Sequence, residues 1–189
     1  MGSAGRNKRI LLWAAGFIAF TVLTGKKVVK NLSAKKKFKD ALAPIAQEVK
    51  ALFNIHPDIT ILQAAHESNF GQSGLTVQAN NLFGFTGEGW QKAGKPVILL
   101  DTKEYVNGKW TAVKRPFRSY PSWRDSVLDW ANLIARTARY SKAYVEAQKG
   151  NVPEFAKAIA AAGYATDPKY ADKLVALAPK VKEIGEAAA

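Results

Sequence analysis

The chain has 189 residues, 48% of them hydrophobic and 11% aromatic, which is enough for a packed core and excludes a disordered polypeptide. With no cysteine, disulfides and thiolate-bound zinc are excluded too. The formal charge of +13 is unevenly placed: ten basic residues and no acid precede Asp40, so residues 40–189 carry a balance of only +3, which argues against a nucleic-acid partner for the folded part.

Length and charge together predict one domain behind an appendage. Residues 1–40 form the basic appendage, and inside it "ILLWAAGFIAFTVLT", residues 10–24, carries no charge. As a helix this run rises about 23 Å, short of the roughly 30 Å hydrocarbon core, and flanking lysine and arginine stems can make up the difference. A short membrane-anchor helix over 10–24 is therefore expected. A cleaved signal peptide shares the basic start and short apolar run, but no A-x-A-like site follows. A buried or capsid-docking helix is the remaining reading. The heavier basic cluster after the run favours a cytoplasmic domain, while Arg6, Lys8 and Arg9 before it oppose that orientation. The stretch up to Asp40 reads as a polybasic segment suited to anionic lipid.

Residues 41–189 form the expected folded domain. "KFKDALAPIAQEVKALFNI" has helical apolar spacing, with Pro44 at a boundary or kink. "HPDITILQAAHESNFG" is a second helix, with Pro57 in its first turn and Gly71 as its C′ residue. After a short helical turn, "NNLFGFTGEGWQKAGK" reads as a glycine-rich loop. "VILLDTKEYVNGKWTAVKRPFRSY" is a β-hairpin turning at Asn107-Gly108, which sets Tyr105 opposite Trp110 and Glu104 opposite Thr111. "PSWRDSVLDWANLIARTARY" aligns Trp123, Val127, Trp130 and Ile134 on one helical face. "VPEFAKAIAAAGY" and "DPKYADKLVALAPKVKEI" complete a mainly α domain with one hairpin.

Chemistry centres on Glu67. Paired with His66 it suggests a zinc-protease helix, but position 70 is Phe rather than a second histidine, and the only other histidine is His56. No metal site is expected. A solvated surface carboxylate is the plain alternative, because Thr60, Gln63 and Glu67 make a polar stripe opposite Ile59, Leu62 and Ala65. Against it stands the position of Glu67 in the last helical turn, where the helix dipole disfavours negative charge and raises the carboxyl pKa. A carboxyl kept protonated near neutrality suits a general acid for glycosidic cleavage. Glu104 on the hairpin is the available second carboxylate; charge on an edge strand is its ordinary explanation.

"AAHESNFGQSGL", "NNLFGFTGEGW", "DTKEYVNG", "FRSYPSWRDSVLDW" and "AGYATDPKYADKL" follow one another as in the glucosaminidase family, glycoside hydrolase family seventy-three, which the chain resembles from about Ile45 to Val181. The family includes bacterial autolysins and the flagellar rod-cap muralytic domain. The resemblance implies a lysozyme-like, mainly α-helical fold with a groove between a helical lobe and a hairpin lobe, and no cofactor. It implies hydrolysis of the β-1,4 bond after N-acetylglucosamine in peptidoglycan, with Glu67 as general acid and Glu104 as second acid. It also places Tyr164 and Asp167 of "GYATDP" at the groove, and Asn81, Phe83 and Gly84 on its floor. His66 and Phe70 depart from the family pattern, where an apolar residue and a tryptophan are frequent. Phe70 keeps an aromatic face for sugar; His66 packs or tunes Glu67, and packing is favoured.

On that reading Glu67 protonates the leaving oxygen, while Glu104 activates water or stabilises positive charge; the substrate's acetamido group is a third route. Phe83, Trp90, Tyr120 and Tyr164 are candidate sugar platforms, whereas Trp123 and Trp130 read as core. Rival readings are a lytic transglycosylase, which needs only one acid, and a catalytically silent wall-binding or virion protein. The expected setting is an endo-acting phage lysis or entry enzyme, or a small bacterial autolysin. It would be held at a host or virion membrane by residues 10–24, act on the wall side, and meet virion or lysis-complex partners.

Overall fold

The structure, a computed structural model, describes the backbone of residues 25–106 and 109–184 and the side chains of residues 32–102 and 112–184. The expected anchor at 10–24 and the tip of the hairpin lie outside the described residues. Among those described, no helix is long and apolar enough to cross a membrane.

Helix α1 (Gly25–Phe53) runs through the expected junction at residue 40 without a break. Phe38, Leu42, Ala46 and Val49 follow at helical spacing and are all buried, so the folded body begins before Asp40. Pro44 lies inside the helix, on its exposed side, where the loss of one backbone donor is made good by solvent. Helix α2 (Pro57–Ser68) starts at His56, whose Nδ1 accepts the Asp58 amide at 3.2 Å.

Residues 59 to 65 of α2 are all buried, Thr60 and Gln63 included. The alternative of a solvated polar stripe through Thr60 and Gln63 is thereby excluded. The helix is the central one: α1, α5 (Trp123–Arg136) and α8 (Tyr170–Glu183) all pack against it. Over residues 59–65 it is enclosed on every side, and only its two ends, at Pro57 and Asp58 and at His66 and Glu67, are open. On α5, Val127, Trp130 and Ile134 are buried and Trp123 rests against Phe38, as the helical spacing requires.

Short helices α3 (Gly74–Ala79) and α4 (Glu88–Lys92) lead into the hairpin. The second replaces part of the expected glycine-rich loop. Strands β1 (Val97–Val106) and β2 (Lys109–Arg118) pair antiparallel, with Glu104 opposite Thr111 and Tyr105 opposite Trp110, the register the Asn107-Gly108 turn demands. A 3₁₀ turn over Ala138–Tyr140, α6 (Ser141–Lys149) and α7 (Val152–Ala161) then cover the far side of the helical body. The sequence pattern of α6 gave no separate reading, because its buried residues are only Ala143 and Ala147.

The base of the hairpin is bolted to the helical body. The Gly87 and Arg118 amides donate to the carbonyls of Pro116 and Phe85 at 2.7 and 3.0 Å. Arg118 Nη1 and Tyr120 Oη both donate to Asp129 Oδ2 on α5, at 2.5 and 2.6 Å. Both of these anchors are half-buried or buried, so each charge-assisted bond holds geometry as well as adding stability.

Candidate active site

Glu67 is in the last turn of α2. The helix ends at Asn69, not at Gly71: Asn69 takes the left-handed C-cap conformation with φ 49°, followed by Phe70 at 55° and Gly71 at 75°. Ser68 stitches this turn, donating to the Ala64 carbonyl at 2.6 Å and accepting the Gly71 amide at 2.7 Å. Gly71 is also a packing requirement, because a Cβ there would lie 2.8 Å from the Trp123 ring and 2.9 Å from Phe38.

The carboxyl of Glu67 is held from the core side. Tyr170 Oη donates to Glu67 Oε1 at 2.6 Å, and Gln63 Nε2 donates to the same oxygen at 3.2 Å. Gln63 also donates to Tyr170 Oη, so the three side chains close a ring. Burial raises the carboxyl pKa to about 7, against the opposing pull of the Tyr170 hydrogen bond. Desolvation under α8, rather than the helix dipole inferred from the sequence, is thus the main cause. His66 stands edge-on to Tyr170 with ring centres 5.2 Å apart, and its pKa is lowered, mainly by burial and then by Lys173.

Glu67 opens onto a cleft of about 250 Å³. Ser73, Gly74 and Leu75 form one wall, Asn81 and Gly84 the floor, and Leu100, Asp101, Thr102 and Phe117 of the hairpin the facing wall. The cleft therefore separates the helical body from the hairpin. The side chain of Glu104 lies outside the described residues. Strand alternation puts position 104 on the face of β1 shared with Leu100 and Thr102, about 7 Å beyond Thr102 along the strand.

The other residues singled out from the sequence fall into different places. Asn81 shapes the floor by binding its own loop: its Nδ2 donates to the Phe85 and Arg118 carbonyls, both at 2.9 Å, and its Oδ1 accepts the Phe85 amide at 3.0 Å. Phe83 is wholly buried, with its ring stacked on Trp130 at 5.2 Å and 9°, so it supports the floor from beneath and presents no free face. Tyr164 is likewise buried, between Tyr140 and Tyr170, behind Glu67 rather than on the cleft surface. Phe70 is buried edge-on to Phe38, with Lys35 Nζ 4.6 Å from its ring centre. Tyr120 is buried against Trp90, whose half-buried ring also meets Lys95 and Arg118. Asp167 pairs with Lys173 at 2.5 Å and accepts the Lys169 amide, fixing the entry to α8.

Sequence reasoning did not single out Tyr170 as a site residue, nor the cleft residues Ser73, Leu75, Asp101 and Thr102. Gln63 was legible as the residue one helical turn before Glu67. Tyr170 is 103 residues away in the chain, and only tertiary packing brings it to Glu67.

Comparisons with known proteins bear on the family and the fold. The glucosaminidase family profile, described as mannosyl-glycoprotein endo-beta-N-acetylglucosaminidase, matches residues 43–183. The exo-glucosaminidase LytG of Bacillus subtilis is 36% identical over 156 residues, spanning 82% of this chain and 54% of LytG. The peptidoglycan hydrolase FlgJ of Escherichia coli K12 is 34% identical over 177 residues, 89% of this chain and 55% of FlgJ. The chain thus spans about half the length of these relatives. Among solved structures, the catalytic domain of the Listeria monocytogenes autolysin Auto superposes with TM-score 0.67 at 25% identity, covering 88% of this chain and 99% of that one. A C-terminally truncated glycoside hydrolase domain of Salmonella typhimurium FlgJ gives 0.63 at 30% identity, covering 79% and 98%. With the profile taking in α2, the cleft and the hairpin together, the chain belongs to the glucosaminidase family.

Proposed function

We propose that this chain is a peptidoglycan glycoside hydrolase that cleaves the β-1,4 bond after N-acetylglucosamine, with Glu67 as its general acid. The observation that carries this reading is a carboxyl with a pKa of about 7, fixed on one oxygen and facing a cleft between a helical body and a hairpin. At neutral pH about half of such carboxyls hold a proton, the state a leaving alkoxide needs. Proton transfer to the glycosidic oxygen breaks its bond to the anomeric carbon, and the sugar passes through an oxocarbenium-like state. Glu104, further along the strand that carries Asp101 and Thr102, then activates water or balances the positive charge. A substrate acetamido group acting as nucleophile would relieve Glu104 of that task.

Glu67→Gln should reduce clearing of purified peptidoglycan by about 100-fold or more with the fold intact by circular dichroism. Undiminished clearing would falsify the acid assignment. Glu104→Gln should leave more activity than Glu67→Gln if the acetamido route operates, because that route bypasses it. Borohydride reduction of the digest identifies the bond cut. Glucosaminitol ends are expected; muramitol ends would mean a muramidase, and anhydromuramic ends a transglycosylase.

The finer setting rests on sequence pattern. LytG is named an exo-enzyme, whereas endo action is proposed here, so the early products of long glycan strands should be oligosaccharides rather than a single small sugar. The uncharged run at 10–24 tethers the domain to a membrane in this proposal, as would suit a phage lysis or entry enzyme. Carbonate-washed membranes should retain the full chain and release one starting at residue 25.

A further inference from the structure

Among the described residues, both hydrogen bonds that Glu67 accepts end on one atom, Oε1, and none reaches Oε2. The donors come from the buried side: Gln63 and Tyr170 are each wholly enclosed, while Glu67 itself lines the cleft. Tyr170 has little freedom. Its ring is flanked by His66 and Tyr164, and its hydroxyl both accepts from Gln63 and donates to Glu67.

We propose that Tyr170, held by Gln63, is a positioning residue that occupies Oε1 of Glu67 and so reserves Oε2 to carry the transferable proton into the cleft. This deepens the reading of Glu67 as the acid and rests on it. In the resting state Oε1 is the carbonyl oxygen of a neutral carboxyl and receives two donors, leaving the O–H on the other oxygen. As that proton passes to the glycosidic oxygen, Glu67 becomes a carboxylate, and the Tyr170 bond to Oε1 becomes charge-assisted and stronger. A contact that strengthens only as charge develops accelerates the chemical step rather than binding.

Several titratable groups stand around Glu67 on the core side. His66 beside it on α2 is pushed down, Tyr164 and Tyr170 are pushed well above their ordinary values by burial, and Asp167 is lowered by its pairing with Lys173. Across the cleft β1 brings Asp101 and, two residues past Thr102, Glu104.

The test is the pH profile of kcat/KM for Tyr170→Phe on purified peptidoglycan fragments, beside wild type and Glu67→Gln. Phenylalanine keeps the ring packing and removes only the hydroxyl. The alkaline limb should move up by about one pH unit, because the ionised acid loses a donor. The kcat should fall about 10–100-fold with KM nearly unchanged. Gln63→Leu, which frees the tyrosine hydroxyl, should move the limb the same way by less, and it serves as the test if Tyr170→Phe does not fold. A folded variant with reduced kcat and an unmoved limb would assign Tyr170 to packing and overturn the proposal. Should Glu67→Gln keep its activity, the acid reading itself fails. If Glu67→Gln is inactive while Tyr170→Phe matches wild type at every pH, only the positioning role fails.

Discussion

A carboxyl with a folded pKa of about 7 weakens the protein that keeps it. The unfolded chain ionises Glu67 near 4.5, so folding above that pH must either retain a proton or bury a charge. For a raised pKa the contribution to stability is full below about 4.5 and is lost as pH climbs through 7. The shift corresponds to roughly 3 kcal/mol at most. Glu67→Gln, which cannot ionise and still accepts the Tyr170 hydrogen bond, should therefore melt higher than wild type at pH 8 and equal it near pH 4.5. Thermal unfolding at the two pH values checks this. A variant that loses catalysis while gaining stability would mark Glu67 as a residue kept for chemistry.

The hairpin matters as an element because it forms one wall of the cleft, and its base is fixed at Gly87, Asn81, Arg118 and Tyr120. Gly87 has an ordinary φ of −117°, so conformational freedom is not its reason. Space is: a Cβ would lie 2.7 Å from Val97 Cγ1 and 3.0 Å from the Phe117 backbone carbon. Gly87→Ala should cost about 1–3 kcal/mol in denaturant unfolding and lower activity further by lifting the strand that carries Asp101 and Glu104. The hairpin itself was legible, since Asn107-Gly108 between β-rich runs sets one register and the strands adopt it. Helix α4 was not. "EGWQK" lacks apolar periodicity and forms where Trp90 can pack on Tyr120 and Arg118, a contact that depends on the finished hairpin.

Across the described residues one apolar body joins α1, α2, α5, α6, α7 and α8, with the floor loop at Phe83 docked on it. Trp130 lies at its junction, stacked on Phe83 and fully buried. Trp130→Ala should cost about 3–5 kcal/mol and blunt activity without touching a cleft residue, because the floor under Asn81 and Gly84 loses its support. Equilibrium unfolding and wall clearing on the same preparation test both halves. The same body explains where the aromatic candidates went. Phe83, Tyr120 and Tyr164 satisfy the sequence pattern of sugar platforms equally well as core residues, and close packing claimed them for the core.

Local chemistry in the sequence determined the helices with clear apolar spacing, the hairpin register and the place of Glu67 in the last turn of its helix; its proposed role as the acid came from the family resemblance. The first three depend on residues within a turn or two of one another, or on a turn that specifies its own strands. Tertiary structure alone decided that α2 is central, that Gln63 is buried rather than wet, and that Tyr170 meets Glu67 from the far end of the chain. The pKa of Glu67 belongs to this second group. Desolvation is a property of what surrounds a carboxyl, and its surroundings come from helices that only folding brings together.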